Sequence, residues 1–78
     1  MLFSLPELAP GQSGVVRRII LPTDMYNTLL SLGILPGTIV RVVRRSPLGD
    51  PTAYFIRGAM IALRRKTASG ILVQRVDA

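Results

Sequence analysis

Apolar residues alternate with polar ones through most of the chain, and one stretch breaks that rhythm. Residues 14–20, 38–45, 53–57, 60–64 and 71–76 are short runs rich in Val and Ile, separated by clusters of Gly, Pro, Ser and Asp. Period-two alternation bounded by turn formers predicts strands, here five of them. Gly58 marks a tight connection between the third and fourth. Residues 46–51 form a loop stiffened by Pro47 and Pro51, in which Gly49 is free to take a positive φ. Residues 67–70, Thr-Ala-Ser-Gly, read as a turn into the last strand, and residues 5–14, rich in turn formers, read as an ordered lead-in.

The exception spans residues 24–32. Asp24, Asn27, Thr28 and Ser31 are spaced as one polar stripe on a helix, leaving Met25, Tyr26, Leu29, Leu30 and Leu32 as a broad apolar face expected to join the core. Pro22 and Thr23 stand where a helix starts, and Asp24 suits the positive end of its dipole. Gly33 fits a left-handed cap, and Pro36 forbids continuation. Such a short helix does not persist alone, so it must dock on the sheet. The expected fold is therefore mainly β: a single domain over residues 1–78, five-stranded, closed or nearly closed as a small barrel, with one short inserted α-helix. Closure would also remove sheet edges that Val- and Ile-rich strands leave prone to aggregation.

With 78 residues the core is small, and with no Cys no disulfide supports it. Half the residues are apolar, 49%, yet the longest charge-free stretch, residues 25–40, is shorter than a spanning helix and carries Pro36 and two glycines. Membrane insertion is not expected. The first six residues lack the basic start of a secretory signal, which makes the cytoplasm the expected location.

The residues missing from the chain narrow its chemistry. Without His or Cys, and with Glu7, Asp24, Asp50 and Asp77 far apart in sequence, neither a metal site nor a nucleophile–base pair is expected. Gly11-Gln12-Ser13-Gly14 lacks the Gly-Lys-Ser/Thr ending of a phosphate-cradling loop. No catalytic residue, cofactor or metal ligand is assigned, and an enzyme is not expected.

Charge points instead to binding. Ten Lys and Arg face four acids, a net charge of +6, and no acid occurs between Pro51 and Val76. Arg44-Arg45 and Arg64-Arg65-Lys66 are the sharpest basic clusters, suited to an acidic protein surface or to phosphate. The aromatic interleaving that single-stranded nucleic acid exploits is sparse, limited to Phe3, Tyr26, Tyr54 and Phe55.

The order of several motifs resembles the ferrous iron transport protein A (FeoA) family. These are Leu5-Pro6-Glu7-Leu8 with Gly11 and Gly14, then Leu29 through Gly37, then Ser46-Pro47-Leu48-Gly49-Asp50-Pro51, Arg57-Gly58 and Ala62-Leu63-Arg64-Arg65. The resemblance implies an SH3-like barrel. It also implies a cytoplasmic accessory of bacterial ferrous iron uptake that binds and modulates FeoB, a membrane permease with a cytosolic G domain. Association with a transition metal ion enters at the level of the family, and a homo-oligomer is compatible with it. Similar domains end diphtheria-toxin-repressor-type regulators. The expected partner-binding residues are Leu48, as an apolar anchor, with Arg44, Arg45, Arg64 and Arg65 as electrostatic guides. An arginine finger into the partner's nucleotide site is a further reading of those arginines. The alternative is a basic barrel that binds nucleic acid, with affinity falling steeply as salt rises.

Overall fold

Alternating side chains build an antiparallel sheet of six strands in the computed structural model, which describes residues 1–76. Asp77 lies outside the described residues. The strands are β1 (Leu2–Ser4), β2 (Ser13–Ile19), β3 (Ile39–Arg45), β4 (Thr52–Ile56), β5 (Ala59–Leu63) and β6 (Ile71–Val76), ordered β1-β6-β2-β3-β4-β5 across the sheet. The α-helices are α1 (Thr23–Ser31) and a single turn, α2 (Arg65–Ala68), and Leu5–Glu7 forms a 3-10 turn.

Two expectations change, and a third, closure, is met in its weaker form. The expected five strands become six, because residues ahead of the lead-in contribute one: Leu2, Phe3 and Ser4 pair with Gln74, Val73 and Leu72 of β6. The single expected helix gains a second, because residues 65–68 coil instead of simply turning. The Arg64 carbonyl accepts the Thr67 and Ala68 N–H groups at 3.0 and 2.9 Å, and Ala68 is carried into the core. Closure is incomplete. Register shifts at Val16/Arg18 and Val42/Arg44 bend β2 and β3, and the sheet curls into a barrel-like shell. Yet β1 and β5 remain edges among the described residues.

The shell is filled from both ends of the chain. Leu5 and Leu8 of the lead-in are fully buried with Val16, Val40, Val42, Tyr54, Ile56, Ile71 and Val73. Alternation explains the strand contributions, since Val40 and Val42 of β3 and Tyr54 and Ile56 of β4 share the inner face.

Helix α1 gives the core less than its sequence promised. Leu29 is buried, whereas Leu30 and Leu32 stay 41% and 42% exposed. The helix lies at the rim and turns one narrow stripe inward. Its end is a Schellman motif: Gly33, at φ +81°, donates to Leu30 O, and Ile34 N–H returns to Leu29 O, both at 2.9 Å. That turn buries Ile34 beside Leu29. A Cβ on Gly33 would also meet Arg57 Cδ, because the Arg57 stem crosses the helix end. The β4–β5 hairpin tip is thereby laid against the C-terminus of α1.

Candidate functional site

On the outer face of β3, β4 and β5 the register sets Arg44 beside Ala53, and Ala53 beside Ala62. Two small side chains in a row leave a trough next to a long cation. The prolines of the 46–51 loop wall it. Arg44, Arg45, Ser46, Pro47, Pro51, Ala53 and Ala62 bound an open groove of about 460 Å³. Ser46 Oγ is buried there and has no hydrogen-bond partner among the described residues. An exposed guanidinium beside an apolar floor suits an acidic group from another molecule.

The loop is held rather than loose. Gly49, at φ +89°, donates to Ser46 O at 2.8 Å, and Ser46 N–H donates to Pro51 O at 3.0 Å. The Asp50–Pro51 peptide is cis. The Asp50 carboxylate accepts the Arg65 N–H at 2.8 Å, which ties the loop to the start of α2. Leu48 stands at the loop tip, 95% exposed.

Of the five residues singled out by sequence, Arg44 and Arg45 line this groove and Leu48 crowns the adjacent loop. Arg65 is joined to that loop through Asp50, whereas Arg64 lines a separate groove against α1. The Arg45 guanidinium is engaged within the chain. Its Nη2 donates to Pro6 O and to Leu8 O, both at 3.0 Å, and so straps the lead-in onto the end of β3.

Sequence reasoning missed the trough floor and the outer apolar row. Arg41, Phe55 and Met60 lie side by side across β3, β4 and β5, with the Arg41 guanidinium 5.2 Å from the Phe55 ring centroid. Carrying the period-two parity of β3 through to β5 would have placed all of these on the outside.

Ala62 also lines a second groove, of about 280 Å³, between β5 and α1. Met25, Leu29 and Leu32 form its helical wall, and Leu63 and Arg64 the other.

Inside the shell, burial pushes the Tyr54 hydroxyl above its ordinary pKa, opposed by a hydrogen bond from Thr52 and by the charges of Arg45 and Arg65. Among the described residues no three of His, Cys, Asp and Glu come together, and no helix is long and apolar enough to cross a membrane.

Residues 3–75 match the FeoA domain family. The chain is 32% identical over 73 residues to a Fe(2+) transport protein A/Fe(2+) transporter FeoB fusion protein from Porphyromonas gingivalis (strain ATCC BAA-308 / W83), covering 94% of this chain and 9% of that protein's length. It superimposes on the solution structure of the FeoA protein from Chlorobium tepidum with a TM-score of 0.91 and 31% identity, over 96% of this chain and 71% of the other. A manganese-dependent transcriptional repressor in complex with manganese is matched with a TM-score of 0.89 and 26% identity, over 96% of this chain and 37% of the repressor.

Proposed function

The chain belongs to the FeoA domain family, and from that premise we propose that it is a cytoplasmic accessory of bacterial ferrous iron uptake that binds and modulates an FeoB-type permease. The observation that carries this reading is the fusion relative, in which a segment similar to this chain shares one polypeptide with the FeoB transporter. Tethering raises the effective concentration of two modules that must meet. Such a meeting requires a docking surface on this module.

Its surface is suited to the task. The Arg44 trough lies beside the exposed Leu48, which stands on a loop braced by Asp50. A pre-ordered anchor loses little conformational entropy on docking, and nearby arginines speed encounter with an acidic face. Acting this way the chain contributes shape and positive charge, without a reaction of its own.

The test is the affinity of Leu48→Asp and Arg44→Glu variants for the cytosolic portion of the permease. Each should weaken binding at least about tenfold, the scale of an interface anchor. Affinity unchanged in both would remove this surface from the proposal.

The net charge of +6 and the match to a transcriptional repressor favour a second reading, binding to nucleic acid. Tyr54 is buried, however, and Phe55 already carries Arg41 over its ring, so exposed stacking platforms are few.

A further inference from the structure

The two edges of the sheet differ in how they are guarded. Edge strand β1 is three residues long and runs directly into Leu5-Pro6. Strand β5, Ala-Met-Ile-Ala-Leu, has no charge, no proline and no bulge, and among the described residues it pairs, in unbroken register, with β4 alone. Natural sheets rarely leave such an edge bare, because it invites another strand.

The direction of its free groups follows from the hairpin. Arg57 and Gly58 both have positive φ, 51° and 82°, as a two-residue type I′ turn requires, so Ile56 and Ala59 form a hydrogen-bonded pair. Alternation then turns the N–H and C=O groups of Met60 and Ala62 away from β4. Beside that edge runs the groove against α1, with Leu32 exposed on its helical wall. On the opposite face, Ala62 opens onto the Arg44 trough. A strand added here would therefore send alternate side chains towards the two grooves.

We propose that β5 is a docking edge for an extended apolar segment of a partner protein that carries acidic residues at both ends. Charge selects this occupant. Arg57 precedes β5 and Arg64, Arg65 and Lys66 follow it, so the edge is apolar between two positive ends. Two copies of this chain paired antiparallel about Ile61 would set Arg57 of each against Arg65 of the other, a like-charge contact. An acid-flanked segment turns both ends into attraction. This addition of a strand is a known mode of peptide recognition, with main-chain bonds supplying affinity and side-chain pockets supplying choice. It holds whichever protein supplies the segment.

The probe is a synthetic peptide with a Val/Thr stretch as long as β5 between paired glutamates, titrated into the isotope-labelled full chain. At saturation, hydrogen exchange at the Met60 and Ala62 amides should slow at least about tenfold, while the Ile61 amide, already bonded to β4, stays unchanged. A peptide with paired lysines should bind at least about tenfold more weakly, a gap that shrinks with salt. Ala62→Pro removes an outward N–H that β4 does not use and should abolish binding. If that variant fails to fold, the exchange measurement on the unaltered chain decides by itself. Binding without protection at Met60 and Ala62, equal affinity for both peptides, or a stable dimer of the chain through β5 would each overturn the proposal.

Discussion

Replacing Arg45 by methionine removes the two hydrogen bonds that hold the lead-in while keeping an unbranched stem of similar bulk. Both bonds leave one nitrogen at 3.0 Å, and the acceptors, Pro6 O and Leu8 O, flank the carbonyl end of the segment that buries Leu5 and Leu8. A hydrogen bond to a charged group contributes about 1.5–3 kcal/mol. This pair is part-buried and shares one nitrogen, so the two bonds together contribute less than twice that range, about 2–3 kcal/mol. In a domain of this size each 1 kcal/mol shifts the melting temperature by about 4–8 °C, so Arg45→Met should melt roughly 10–20 °C lower. Arg44→Met, next door but exposed, should change stability by less than about 0.5 kcal/mol. Thermal melts followed by circular dichroism compare the two. Arg45→Lys should fall between them, since an ammonium cannot reproduce a planar fork on two carbonyls. Equal melting temperatures for Arg45→Met and the unaltered chain would refute the strap, and would return Arg45 to the pool of free surface cations.

Three further outcomes test other parts of the fold. Gly70→Ala should be severely destabilising, by about 3 kcal/mol or more in chemical denaturation, because the new Cβ would collide with the Ile20 carbonyl and with Leu21; a change under about 1 kcal/mol would show that this corner can shift. Leu5→Ala should cost about 2–5 kcal/mol in the same assay, as expected for a fully buried leucine, and a near-neutral result would mean that the lead-in is not part of the core. Tyr54 bears on alkaline stability: unfolded, it ionises near 10.0, whereas burial keeps the folded form protonated to higher pH. Below the unfolded value both states are protonated and the contribution is intact; above it the unfolded chain releases a proton that the fold retains, so stability falls as pH rises. Tyr54→Phe should flatten that decline in melts run at increasing pH, and an identical slope in both proteins would contradict it.

Five of the six strands and the helix were legible because their signals are local: alternation in 38–45, a polar stripe in 24–32, and Gly33 with Pro36 to end it. What escaped was settled by partners distant in sequence. Residues 2–4 carry no turn-bounded alternation and become a strand only because β6 offers them an edge. Residues 65–68 coil under a cap from Asp50, fifteen positions away, and because burying Ala68 favours it. The helix face was over-read for a related reason. Apolarity marks what can be buried, but a helix at the rim reaches the core with a single residue, Leu29, and leaves Leu30 and Leu32 outside.

The candidate site divides in the same way. Exposure of Leu48 on a proline-braced loop follows from composition, and so does the positive field around it. That Arg45 would be spent on two carbonyls of the lead-in, while its neighbour stays free of that strap, depends on the bulge between Val42 and Arg44 that reorients the strand end. The trough itself comes from small residues on two adjacent strands beside an arginine on a third, a juxtaposition that no single segment records.

The measurement closest to the central claim is a calorimetric titration of the unaltered chain into the detergent-solubilised FeoB-type permease of the same cell, with generic duplex and single-stranded nucleic acid titrated in the same buffer at physiological ionic strength. A chain that works through a protein-binding surface should saturate the permease with defined stoichiometry and leave the polyanions nearly silent. Silence with the permease, together with tight nucleic-acid binding that fades steeply with salt, would contradict the account.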